Sequence, residues 1–375
     1  MEVFLAVLRQ VRDPRDFNAR HDCAAMLFVA LMATLCGAKS CVDIADFAAA
    51  NEADLAEAAG LSRGAPSHDS FSRLFRVLDP DETARAFEAF AAALRGALRA
   101  GRAAGVVAVD GKRLRGGYER GKAHMPPLML SVWDAETRLS LAARAGPGGS
   151  EVKAALEALK SLDLKGCTVT ADALHCHPAM AQAVRARKGH YALRLKGNNG
   201  PLHACALAAF AKADEKADAK AGKPGGLAFH ETSDAAHGRR ERRRASVVAA
   251  PKDAPRMPGL VMFARIECER RAGAGEPELH VSYAALSRRM TPREAAQVVR
   301  AHWSVENRLH WPLDIVFRED EARSRKDHAP HNLSFIRRMA LDILTAHPDR
   351  RSPARKMKLA AWSKTFLFEL FTHMR

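Results

Sequence analysis

Apolar residues recur at helical spacing through the first hundred positions. His21 to Leu35 is rich in Ala, Leu and Met, without Gly or Pro. Ser40 to Ala50 continues with Ile44, Phe47 and Ala48 on one side, and Asp69 to Leu78 places Phe71, Leu74, Phe75 and Leu78 on one face. Asp81 to Arg99 is a further Ala-rich helical stretch, and Gly101 and Gly105 mark its end. Apolar residues three and four apart line one side of a helix, so residues 1 to 100 are expected to form an all-helical unit.

The period then changes. Gly105 to Asp110 and Cys167 to Asp172 are short β-branched runs, each closing on a carboxylate. Leu128 to Trp133 and Leu139 to Ala143 flank Asp134 to Thr137, which reads as a hairpin turn. Glu151 to Leu162 and Pro178 to Lys188 are helical in period, and Tyr191 to Leu195 is another strand. This order predicts a mixed sheet with helices on its faces. Residues 201 to 225 read as a helix and a loop. The runs Ala245 to Ala250, Leu260 to Cys268 and Leu279 to Leu286 make 226 to 287 a β-rich insertion. Thr291 as N-cap, Pro292 in first position and Glu294 three residues on predict a helix from Thr291 to Asn307. Another is expected over His331 to Ala346.

Composition adds a partner. The 375 residues are 47% hydrophobic, enough for sizeable cores, and carry 59 Lys plus Arg against 43 Asp plus Glu, a formal net charge of +16. So large a surplus points to a polyanion, and nucleic acid is the natural one. The charge is clustered: Arg239, Arg240, Arg242, Arg243 and Arg244; then Arg323, Arg325, Lys326, Arg337 and Arg338; then Arg350, Arg351, Arg355, Lys356, Lys358 and Lys364. Such runs suit phosphate contacts, because bound Lys and Arg release counterions from DNA. The first run should repel itself without an anion. Seven scattered cysteines with no CxxC pair read as reduced thiols. Arg9, Arg12, Asp13 and Arg15 interrupt any leader peptide, and the apolar run Cys23 to Ala38 is short for a membrane span and reads as a buried helix. A soluble cytoplasmic, nucleoid-associated protein is expected.

Three acids carry candidate chemistry. Asp110 stands in VAVDGKRLRG and Asp172 in TVTADALHCH. Taken singly, the first reads better as a turn residue before Gly and the second as a helix N-cap. Together, two carboxylates at the ends of strands in one sheet are a way to gather oxygen ligands for Mg²⁺. Glu306 stands in AHWSVENRLHW with His302 four before and His310 four after, so a helix would put all three on one face. That triplet could also hold zinc, but oxygen donors favour Mg²⁺, with Mn²⁺ as substitute.

These blocks are similar to the H-repeat-associated group of insertion-sequence DDE transposases along nearly the whole chain. The matching stretches are DPRDFNARHDCAAMLFVALMATLCGAKSCVDIADFA, PSHDSFSRLFRVLDP, VAVDGKRLRG, VTADALHCHPAMA, HYALRLKGNN, HGRRERR and RAHWSVENRLHWPLDIVFREDEARSR. The resemblance implies a ribonuclease H-like mixed sheet with helices on both faces, interrupted by the β-rich insertion and preceded by the helical N-terminal domain. It implies Asp110, Asp172 and Glu306 as catalytic and metal-holding residues, with two divalent ions per site. It also implies cleavage at terminal inverted repeats in double-stranded DNA and strand transfer by a 3′-hydroxyl, on a homodimer. The expected domains are 1–100, DNA-binding and transposase-associated; 101–200, the first catalytic part; 201–290, the insertion; 291–348, the catalytic completion; and 349–375, a basic tail. A domesticated DNA-binding relative without cleavage is the alternative.

The chain departs from the pattern in places. His177 and Asn199 stand where the family more often has Gln. Val299, His302 and Leu313 fill offsets where related families carry Tyr, Arg and Lys, so Arg300 and Arg308 are at best local substitutes. Asp314, Glu319 and Asp320 compete with Glu306 as third ligand. The remaining candidates for DNA contact are Lys112, Arg113, Arg115, Lys196, Asn198, His237, Arg239, Arg240, Arg243, Trp303 and Asn307.

Overall fold

The computed structural model describes residues 2–99, 105–117, 125–218, 227–236, 239–272 and 275–372. Six helices come first: α1 (Glu2–Leu8), α2 (Cys23–Leu35), α3 (Cys41–Ala50), α4 (Glu52–Ala59), α5 (His68–Val77) and α6 (Pro80–Arg99). Then follow β1 (Val106–Arg113), β2 (Leu128–Asp134), β3 (Leu139–Ala145), α7 (Glu151–Lys160), β4 (Thr168–Ala171), α8 (Pro178–Ala186), β5 (His190–Leu195) and α9 (Gly200–Asp218). Four long strands, β6 (Phe229–Ala236), β7 (Arg239–Ala249), β8 (Met262–Ala272) and β9 (Glu278–Leu286), precede α10 (Pro292–His302). A π-helical turn, Glu306–His310, leads into α11 (Trp311–Ile315), α12 (Ala329–Ala346), α13 (Pro353–Trp362) and α14 (Lys364–Glu369). The architecture is mixed α/β. β6 is the strand that the hydrophobic pattern does not announce, because FHETSDAA lacks an alternating apolar face.

Contacts divide the chain into two compact units. One comprises Met1–Arg102, Asp110–Leu162 and Val305–Arg375; the other comprises Ala103–Val109 and Asp163–Ser304. In the first, α2 is apolar on every side and all thirteen of its residues are buried. A helix without a polar face belongs in a core, and α12 packs against it and against α6 and β3. Among the described residues no helix is long and apolar enough to cross a membrane. β2 and β3 pair as the expected hairpin, with Arg138 at φ 59 closing the turn.

Charges thought to serve DNA are used inside this unit instead. Arg338 is fully buried. Its Nε donates to Ser131 Oγ at 3.2 Å and its guanidinium reaches Glu319 Oε1 at 3.2 Å. Arg337 is also buried, 4.0 Å from the same carboxylate. Lys356 is buried and donates to the carbonyls of Leu344 (2.6 Å) and His347 (3.0 Å) at the end of α12, where cations satisfy otherwise orphaned acceptors. These three therefore leave the phosphate-contact runs, because each satisfies a buried acceptor.

His331, at the start of α12, is shielded from water, and burial lowers its pKa to about 4 from an ordinary 6.5. The unfolded chain then takes up this proton first. Stability should fall as pH drops from 6.5 towards 4, and His331→Phe should flatten that slope in urea titrations across the range. An unchanged slope would show that the ring is solvated in the folded protein.

In the second unit the strand order runs from the first half of β1 through β4, β5, β9, β8 and β7 to β6. β1, β4 and β5 are parallel; the others are antiparallel. Ala192, Ala264, Ala284, Leu286, Met290, Ala295 and Val298 pack α10 on this sheet. The small side chains let the helix approach closely.

Candidate active site

β1 and β4 run side by side with Val109 opposite Ala171. Asp110 and Asp172 are the next residue after each member of that pair. Asp172 follows the last residue of β4 as expected, but Asp110 does not close its strand: β1 continues through it to Arg113.

Within the first unit, the carboxylate of Asp110 is mostly shielded. Its Oδ2 lies 2.9 Å from Nε2 of His310, which is itself buried. The other ring nitrogen of His310 is buried without a hydrogen-bond partner. Gly111 follows, and a Cβ there would fall 2.4 Å from Cδ of Glu151. The acid therefore packs directly on this backbone, and a side chain at 111 would require it to move. Glu151 opens α7 behind the N-cap Ser150. It brings a further carboxylate onto the backbone of Gly111, and neither motif nor spacing points to it.

Glu306 opens the π turn with an exposed side chain, and its carbonyl accepts from Trp311 N–H, five residues on. The cause is local. Pro312 has no N–H, and its ring would clash with the carbonyl four residues back, so the helix widens by one residue before it. The helix expected over Thr291 to Asn307 ends earlier, at His302, with a turn at Trp303. Such π turns occur often at functional sites.

Each imidazole of the zinc alternative has another partner within its own unit. His302 Nδ1 sits 3.2 Å from Thr170 Oγ1, and His310 turns to Asp110. The other acids competing with Glu306 are held by cations. Lys112 Nζ lies 2.8 Å from Asp314 and 2.5 Å from Asp320, and Glu319 is buried against Arg337 and Arg338. Burial pushes the Glu319 carboxyl upward, but Arg338 and Arg337 more than reverse this and hold it below its ordinary range. Lys112 is buried in these pairs, which explains why it is not turned outward to meet a phosphate.

In the second unit, Asp172 caps a short helical turn by accepting from Leu174 N–H at 3.0 Å. Two asparagines tie the turn after β5 to it: Asn198 Nδ2 donates to Ala173 O at 3.0 Å, and Asn199 Nδ2 to Cys176 O at 2.5 Å. Asn198 thus supports the loop bearing Asp172. His177 is the N-cap of α8, accepting from Met180 N–H. The imidazole Nδ1 thus supplies the cap acceptor at this position.

A family description, Transposase DDE domain, matches residues 101–343, and DDE_Tnp_1-associated matches residues 5–91. The chain belongs to the DDE transposase family. Its relatives in Escherichia coli include the H repeat-associated putative transposase YhhI, 29% identical over 94% of this chain and 93% of the relative. The putative protein YbfL is 29% identical over 94% and 92%, and the putative transposase YncI of the O157:H7 strain 26% over 98% and 93%. Among solved structures, a piggyBac transposase synaptic complex with hairpin DNA aligns at TM-score 0.47 and 11% identity, over 99% of this chain and 80% of that one.

The transposase holds its arginine run differently from the self-repelling cluster that the sequence implies. Register sets carboxylates among the cations: Arg242 meets Glu231 at 2.9 Å, Arg243 meets Asp234 at 3.0 Å and also Glu241, and Arg270 meets Glu241 at 2.9 Å. The guanidinium groups of Arg243 and Arg270 stand over Trp303, 6.0 and 5.8 Å from its ring centre. Arg240 is exposed on β7, and Arg239 pairs there with Ala236 and Ala272. Arg115, Lys196, Asn307 and Arg308 are exposed, while Arg113 donates to Pro126 O at 3.0 Å. His237 lies outside the described residues.

Proposed function

We propose that this transposase cuts DNA at the ends of an insertion sequence and joins the freed 3′-hydroxyl to target DNA, with Asp110, Asp172 and Glu306 holding divalent ions. The observation that carries the proposal is the register of β1 and β4, whose paired residues Val109 and Ala171 immediately precede the two aspartates.

The residues fit a hard cation. The donors are all carboxylate oxygens, which suits Mg²⁺ or Mn²⁺. Asp110 commits one oxygen to His310, so its other oxygen is the donor it can offer. Glu151 packed on Gly111 adds negative charge beside it, and such crowding is costly without a cation. With Asp314, Asp320 and Glu319 each paired to a cation, Glu306 is the one of these four acids that is exposed.

Two bound ions would supply activation of the attacking hydroxyl and stabilisation of the leaving oxygen. The residues do the rest. His310 orients Asp110, the Asn198 and Asn199 amides hold the Asp172 turn, and the proposed DNA contacts are the exposed Arg115, Lys196, Arg240, Arg300, Trp303, Asn307 and Arg308. On this reading the core is ribonuclease H-like, residues 1–100 help to bind DNA, and two copies act together on paired ends.

The test is incubation with the DNA that flanks the gene, in Mg²⁺ or Mn²⁺. Strand breaks with 3′-hydroxyl ends at inverted repeats are expected. Salt-sensitive binding with no cleavage in either metal would instead mark a domesticated DNA-binding protein.

Removing the imidazole should loosen the metal site. His310→Ala is expected to weaken Mn²⁺ binding about 10- to 100-fold, the usual cost of losing a partner that orients a ligand. His310→Gln, whose amide can reach Asp110, should restore much of it. Equal Mn²⁺ affinity in all three proteins, read by electron paramagnetic resonance, would remove His310 from the site.

A further inference from the structure

The second unit contains a groove of about 350 Å³ between α10 and the β6–β9 strands. Arg243, Arg244, Arg293 and Arg300 line it, with Trp303 on one wall, and no carboxylate is among its described lining residues. Ala245, Ile266 and Val299 make the floor apolar. Four guanidinium groups around one apolar-floored groove repel each other, so the site favours an anion.

One anion is already seated at its edge. A single oxygen of Asp234, Oδ2, accepts from Arg243 at 3.0 Å and from Arg300 at 2.9 Å. Asp234 stands on β6, Arg243 on the neighbouring β7 and Arg300 on α10, so the fork is assembled from three separate elements. A carboxylate oxygen bridging two arginines occupies the position that a phosphate oxygen takes in a charge-assisted fork. Arg243 keeps Glu241 as a second partner, whereas Asp234 is the carboxylate paired with Arg300.

We propose that Arg243 and Arg300 form a seat for a DNA backbone phosphate, and that Asp234 fills this seat until DNA displaces it. The proposal rests on the DNA-binding reading above and adds an internal competitor to it. The exchange is cheap. The Asp234–Arg300 pair is exposed to solvent, so breaking it costs little, and the incoming phosphodiester restores the charge balance.

The experiment uses the full chain and a labelled 30-base-pair duplex of arbitrary sequence, without divalent metal, over a range of salt. Asp234→Asn should bind up to about tenfold more tightly, because the seat no longer has to be vacated, while the log–log salt slope stays nearly the same, since both proteins make the same phosphate contacts once bound. Glu231→Gln is the control. It removes the same charge from the same strand, but its partner Arg242 lies outside the groove. In an Arg243→Gln, Arg300→Gln background, the Asp234 substitution should have no effect. Equal tightening by Glu231→Gln would reduce the effect to net charge and overturn the seat. So would unchanged or weaker binding by Asp234→Asn with an unchanged melting temperature. If the unaltered protein fails to bind duplex DNA at all, the DNA reading itself fails.

Discussion

Asp110→Asn is expected to lower metal-dependent DNA cleavage by about a thousandfold or more. Asparagine keeps the size of the side chain and an oxygen that can accept from His310, so the surrounding packing survives. What goes is the negative charge that holds a divalent ion. Metal ions contribute several kcal/mol to such reactions, and each 1.36 kcal/mol is about tenfold in rate. Asp172→Asn should behave alike, since asparagine can still accept from Leu174 N–H and preserve the turn. Glu306→Gln completes the series. Cleavage is read on a labelled duplex carrying the flanking repeats, and binding to the same duplex without metal reports that each variant is folded. Cleavage by all three at the rate of the unaltered protein would sink the triad.

The second large effect concerns stability. Glu319→Gln should cost about 3–5 kcal/mol, because Arg337 and Arg338 would remain buried without their counter-charge. The loss is read as a lower urea midpoint with an unchanged slope. The sign with pH follows from the direction of the shift. The Glu319 carboxyl is held below its ordinary value of 4.5, so its contribution is present above that pH and is lost as pH falls through the lower, folded value. The variant should therefore have a shallower acid limb than the unaltered protein. Replacing Glu319 and Arg338 together by apolar residues should recover part of the loss, since desolvating the pair is itself costly. A single substitution that leaves the midpoint in place would mean water reaches these groups.

Both effects rest on residues that local pattern treats alike: acids and bases within a basic, DNA-minded stretch. Arg337, Arg338 and Lys356 look in the sequence like surface phosphate contacts. Burial, which depends on what α12 packs against, makes them structural. Asp314, Glu319 and Asp320 compete with Glu306 on paper. Pairing with Lys112 and the arginines separates them. His310 was visible four residues after Glu306, but its partner Asp110 lies 200 positions away. Long-range pairing of this kind leaves no periodic signature.

Much was decided locally. Helical periodicity placed α2, α5, α6 and α12 near their observed positions, since apolar faces must be buried and repeat every three or four residues. β-branched runs ending in carboxylates placed β1 and β4, and the order of the motif blocks pointed to the family. Tertiary structure alone decided the register that sets Val109 against Ala171, the π turn's place between α10 and α11, and which charges are spent inside the protein. The reason is that periodicity is a property of neighbours along the chain. Register, burial and ion pairing are set by what each surface meets, and a sequence read one element at a time does not contain that partner.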